Sequence, residues 1–68
     1  MRTQELSNVE KDVLQMMWDN LSTSQIAKAK GASPSWVRKT YERIHFKLNT
    51  YTRIEMIRCA LKKGIIEL

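Results

Sequence analysis

The residue types that carry most enzyme chemistry are scarce in this chain. Its 68 residues include one cysteine, one histidine, one proline and two glycines. The lone cysteine, Cys59, cannot close an internal disulfide, and no export signal stands in front of it, so a reducing, cytoplasmic setting is expected. His45 has no second ligand candidate nearby and the acidic residues do not cluster. Neither a metal site nor a pair of groups sharing a proton is indicated, and no cofactor is implied. No glycine-rich phosphate loop occurs. These gaps together argue against an enzyme. No apolar run comes near the ~18 residues of a membrane span, and Met1-Arg2-Thr3-Gln4-Glu5 does not lead into an apolar leader. No stretch alternates with period two for long enough to make a convincing strand. Repeats, low-complexity runs and linkers are missing too, so one domain over residues 1–68 is expected. A domain of this size buries only about 60% of its unfolded surface, which implies modest stability.

Positive charge is plentiful by contrast. The net charge is +5 and the isoelectric point about 9.7. The excess is uneven. Residues 1–20 set Arg2 and Lys11 against Glu5, Glu10, Asp12 and Asp19. Residues 28–63 carry Lys28, Lys30, Arg38, Lys39, Arg43, Lys47, Arg53, Arg58, Lys62 and Lys63, opposed by Glu42 and Glu55 alone. Such asymmetry points to an anionic partner, nucleic acid first. Charge alone does not separate that reading from lysines solvated on helix surfaces.

Helix punctuation is dense. Ser7-Asn8-Val9-Glu10, Ser22-Thr23-Ser24-Gln25 and Thr52-Arg53-Ile54-Glu55 each place a hydroxyl three residues before an acid or amide, the reciprocal capping pattern of a helix start. Ser33-Pro34 is a fourth start, with proline at the first helical position. Asp19-Asn20, Gly31, Asn49 and Gly64 mark the ends. Four helices are predicted, from about Asn8 to Trp18, Thr23 to Lys30, Pro34 to Leu48 and Arg53 to Lys63. The expected fold class is all-α, a four-helix domain whose second and third helices, joined by the short Gly31-Ala32 turn, give it a helix-turn-helix form. The expected buried positions are Val9, Val13, Leu14 and Met17 on the first helix and Ile26 and Ala27 on the second. The third contributes Val37, Tyr41, Ile44 and Leu48. The fourth carries two apolar strips, Met56-Ile57-Ala60 and Ile54-Leu61-Ile65, with Arg58 between them, and one core can use only one strip.

The second and third helices are separated by little more than Gly31-Ala32. Two short helices around a glycine turn form the helix-turn-helix unit, whose second helix enters the DNA major groove. The outer face of the third helix carries Ser35, Arg38, Lys39, Glu42 and Phe46. Arg or Lys can pair with guanine O6 and N7, and Glu can accept from cytosine N4, so Ser35, Arg38, Lys39 and Glu42 are the base-contact candidates. Glu42 could equally pair with Arg38 one turn back. Ser22, Thr23 and Ser24 at one helix start, Ser33 at the next, and Arg43 and Lys47 along the flank are placed for phosphates. Trp36 either meets the sugar–phosphate edge or covers the packing of the second helix.

The residues also resemble a known family, the LuxR/GerE-type helix-turn-helix domain of bacterial transcription regulators. Leu6-Ser7, Glu10 and Val13-Leu14 are similar to its opening, and Leu21-Ser22 with Ile26-Ala27 to its second helix. Ser33, Val37-Arg38, Ile44 and Lys47-Leu48 are similar to its third helix, and Arg53, Glu55, Ala60 and Gly64-Ile65-Ile66 to its close. The likeness covers Leu6 to Ile66 without a gap. It departs at Asn20, Lys30, Trp36, Thr40 and Phe46, where the family usually has Gly, Leu, Thr, His and a basic or polar residue. The resemblance implies a bacterial, nucleoid-associated transcription regulator whose third helix reads double-stranded DNA at Arg38, Lys39 and Glu42. It also implies a homodimer through the fourth helix, at Ile54, Ile57, Arg58 and Leu61, which gives the spare strip at Ile54, Arg58 and Leu61 a use. RNA polymerase or a full-length regulator are the further protein partners to consider, and no membrane is expected. Two alternatives stay open. One is a module that pairs with a full-length regulator and modulates it. The other is a sigma-factor promoter-reading domain, although that group usually has a longer stretch between its first two helices.

Overall fold

A computed structural model describes residues 5–67. The opening Met1-Arg2-Thr3-Gln4, part of the leader reading above, lies outside the described residues. Four helices follow one another: α1 Asn8–Trp18, α2 Thr23–Lys30, α3 Pro34–Leu48 and α4 Arg53–Lys62. Among the described residues there is no strand. No helix among them is long and apolar enough to cross a membrane.

Each helix begins where its hydroxyl cap sits. Ser7 Oγ accepts the Glu10 N–H at 3.2 Å, and the Glu10 carboxylate accepts the Ser7 N–H at 2.8 Å. Ser22 with Gln25 and Thr52 with Glu55 repeat this reciprocal arrangement. Ser33 Oγ accepts the Trp36 N–H at 3.2 Å, with Pro34 opening α3. The chain then turns out of helix through left-handed residues, Asn20 at φ 71°, Gly31 at 64°, Asn49 at 56° and Gly64 at 70°. Asparagine and glycine are the residues that adopt this region most readily. α4 closes one residue earlier than the sequence suggested. Lys63 is already the cap, donating its N–H to Cys59 O at 3.0 Å, and Ile65 N–H closes on Ala60 O at 2.9 Å.

α3 packs against all three other helices. Its Val37, Ile44 and Leu48 are buried against Val13, Leu14 and Met17 of α1, Ile26 and Ala27 of α2, and Met56 and Ala60 of α4. Leu6 and Ile66 join the core from outside the helices. Three expectations need correction. Val9 stays 47% exposed, because the inward face of α1 is centred on Glu10, Val13, Leu14 and Met17. Tyr41 is half-buried at the core's edge, and Thr40 is buried beside it, its Oγ1 donating to Trp36 O at 2.8 Å. The second strip of α4 is not wholly free either. Leu61 and Ile65 pack against the core, as does Ile57 of the first strip, leaving Ile54 open at 68% exposure.

The buried Glu10 is the feature that apolar periodicity overlooks. Lys47 Nζ donates to its Oε1 at 2.7 Å, and Arg43 Nη1 lies 4.0 Å from Oε2. Burial pushes the carboxyl's pKa up, but the hydrogen bonds from Lys47 and Ser7 and the Lys47 charge outweigh it and hold the group below its ordinary value. A carboxyl so depressed contributes stability above the unfolded pKa of about 4.3, and that contribution is lost as pH falls through the lower folded value. Glu10→Ala leaves Lys47 unanswered at a mostly buried position and should lower unfolding stability by about 3 kcal/mol in urea titrations at pH 7. Glu10→Gln keeps the capping acceptor but not the charge. Its stability should fall less steeply than the wild type's between pH 5 and pH 3, as followed by circular dichroism.

Candidate nucleic-acid interface

α2 and α3 are joined by Gly31, Ala32 and Ser33. Gly31 in the left-handed region turns the chain, and the Ala32 N–H returns to Ala27 O at 2.8 Å, which closes the end of α2. Ser33 then sets the extended backbone from which α3 starts. The angle between the two helices is thus held by backbone hydrogen bonds and by Ile26 and Ala27 packing on Val37 and its neighbours.

The outer face of α3 is open. Ser35, Arg38, Lys39 and Glu42 are all exposed, and Phe46 continues the face at 76% exposure. Among the described residues Arg38, Lys39 and Glu42 form no ion pair, so the turn-to-turn pairing of Arg38 with Glu42 is not made. One guanidinium and one ammonium group, of Arg38 and Lys39, therefore stand without ionic partners one turn into the helix, with the Glu42 carboxylate one turn further on.

The flanks differ from one another. On the α1 side, Lys47 is half-buried on Glu10, Arg43 keeps its side chain more than half exposed beside the same carboxylate, and Trp36 is half-buried against the core. On the other side, α3 and the starts of α2 and α4 enclose a groove of about 510 Å³, whose walls include Ser22, Thr23, Tyr41, His45 and Arg53. Burial raises the Tyr41 phenol above its usual pKa, and the nearby Arg53 charge draws it partly back. His45 Nδ1 pairs with Thr50 Oγ1 at 2.8 Å where α3 gives way to α4. Ser22 and Ser24 are exposed and Thr23 half-buried. Sequence reasoning did not bring Tyr41, His45 and Arg53 to this wall. Tyr41 and His45 share a flank by helical spacing, but Arg53 joins them only through the α3–α4 corner. Among the described residues no three His, Cys, Asp or Glu side chains meet as metal ligands would.

A short glycine turn between two helices, with the second helix showing free cations to solvent, defines the helix-turn-helix class of DNA-binding domain. The chain matches the family described as bacterial regulatory proteins, luxR family, over residues 4–60, and it belongs to that family. No curated protein matches the chain. Family membership makes this a DNA-binding regulatory domain, in a group of regulators rather than enzymes.

The start of α3 depends on one hydroxyl. Ser33→Ala removes the acceptor of the Trp36 N–H and should cost about 1 kcal/mol, seen as a melting temperature lower by about 4–8 °C.

Proposed function

We propose that this chain is a sequence-specific regulator that lays α3 into the major groove of double-stranded DNA. The observation that carries the reading is the open face of α3, where Arg38, Lys39 and Glu42 are exposed without ionic partners. Charged groups left unanswered by the fold are available to base edges, Arg38 and Lys39 to guanine and Glu42 to cytosine, with Ser35 beside them at the helix start. Ser22, Thr23, Ser24 and Ser33 meet phosphates at the two helix starts. Arg43 does so from the flank, and Trp36 borders the sugar–phosphate edge. Lys47 adds charge there while one of its donors stays on Glu10.

The dimer belongs to the same proposal. Ile54 is 68% exposed, and Arg58, Cys59 and Leu61 border a shallow hollow of about 580 Å³ on α4. Ile54, Ile57, Arg58 and Leu61 pair with the same surface of a second copy, which sets two half-sites about one helical turn apart. That exposed isoleucine also favours a second reading, in which α4 pairs with a full-length regulator.

Selection from random-sequence duplexes at two salt concentrations separates the readings. DNA recognition predicts an enriched two-part motif and an affinity that falls steeply with salt, by about 0.9 log units per log unit of salt for each neutralised phosphate. A folded chain that binds no duplex at low salt rejects it in favour of the protein-pairing role. Arg38→Ala should reduce discrimination at one base position about tenfold or more while leaving the helical spectrum unchanged. Undiminished site preference in that variant would overturn the register assigned to α3. Ile54→Glu should weaken binding to paired half-sites about tenfold or more and leave single half-sites nearly untouched. Equal loss on both would remove α4 from the dimer contact.

A further inference from the structure

Phe46 is the unexplained residue on the open face. It lies in line with Ser35, Lys39 and Glu42 by steps of four, three and four residues, which keeps all four on one side of a helix. It is 76% exposed, on the last full turn of α3. The two cations of that half of the helix lean elsewhere. Lys47 is bound to Glu10 at 2.7 Å, and Arg43 lies 4.0 Å from the same carboxylate, both on the α1 side. The open face therefore begins with cations and ends with a bare aromatic ring.

A ring in water gains free energy only when a partner offers it apolar surface. The floor of the major groove presents donors and acceptors on every base pair, but a single apolar group, the C5 methyl of thymine. We infer that Phe46 is a specificity-determining residue that packs its ring on a thymine methyl, extending the polar readout at Arg38, Lys39 and Glu42 by one apolar contact. The inference rests on the placement of α3 in the major groove proposed above. Helix spacing sets the position. A helix in the major groove follows the groove and not the duplex axis, and side chains three to four residues apart on it meet successive base pairs. The thymine accordingly lies about one base pair beyond the pair met by Glu42 and about two beyond that met by Lys39. Since the ring senses only the methyl group, 5-methylcytosine satisfies it on the same terms, and unmethylated cytosine does not.

The test deletes the methyl and nothing else. In the duplex obtained by selection, each thymine is replaced in turn by deoxyuridine, which keeps the base pair and its polar edge. At one position, about one pair beyond the Glu42 contact, the wild-type chain should bind about fourfold more weakly, the value of one buried methyl group. Phe46→Ala should bind the thymine and deoxyuridine duplexes alike, and Phe46→Leu should retain part of the difference. The exposed position makes Phe46→Ala harmless to folding, which its melting curve checks. Wild-type binding that is indifferent to deoxyuridine at every position overturns the assignment, as does discrimination that survives in Phe46→Ala. A chain that selects no duplex at all overturns the placement of α3 itself and the assignment with it, so the two failures are told apart.

Discussion

A carboxylate with almost no access to water must be answered by donors or positive charge. At Glu10 two elements supply the answer. The Ser7 N–H donates from the start of α1, and Lys47 Nζ donates at 2.7 Å from the last turn of α3. One side chain therefore caps α1 and ties it to α3. Apolar packing between two helices tolerates some sliding, since one methyl group can replace another against a neighbour. A buried ion pair does not, because a shift of a few ångströms leaves charge without a partner. Glu10 thus adds a polar constraint on the registry of α1 and α3 to the packing of Val13, Leu14 and Met17.

The same tie divides the cations of α3. Arg43 and Lys47 serve the fold in part, since the field they answer comes from Glu10. Arg38 and Lys39 serve nothing inside the molecule. A basic helix is not by that fact a recognition helix, because its charges can be consumed by the protein's own acids. Here the division falls along the helix, with free cations near its N-terminal end, where a major-groove reader needs them.

Helix positions were legible in the sequence because capping is local chemistry. Ser7, Ser22 and Thr52, each with its acid or amide three residues on, announce helix starts without reference to the rest of the fold, and Asn20, Gly31, Asn49 and Gly64 occupy the left-handed turns their residue types suit. The open face of α3 was legible from the 3.6-residue period. What escaped is tertiary. The sequence marks Glu10 as a cap and gives no sign of its burial, because that burial requires Lys47, 37 residues away. Val9 is apolar and fits a core position by type, but the neighbouring Glu10 carboxylate holds the inward position. Thr40 and Thr50 are buried because hydrogen bonds to Trp36 O and His45 satisfy their hydroxyls, which no periodicity reveals. Periodicity puts Leu61 and Ile65 on a second strip of α4, yet the turn through Gly64 folds Ile65 and Ile66 back towards the core.

In the proposed docking, the capping serines join stability to binding. An N-cap hydroxyl uses a lone pair, not its proton, to accept a backbone N–H. Ser22 and Ser33 accept from Gln25 and Trp36 in this way, and both are exposed. Their O–H groups remain free to donate outward, at helix starts where the backbone dipole already favours an anion. The groups that start α2 and α3 are thus, on the proposed docking, also groups placed to meet a phosphate. Under that docking, losing a cap hydroxyl would withdraw a donor from the DNA side at the same time as it loosens the turn that presents α3.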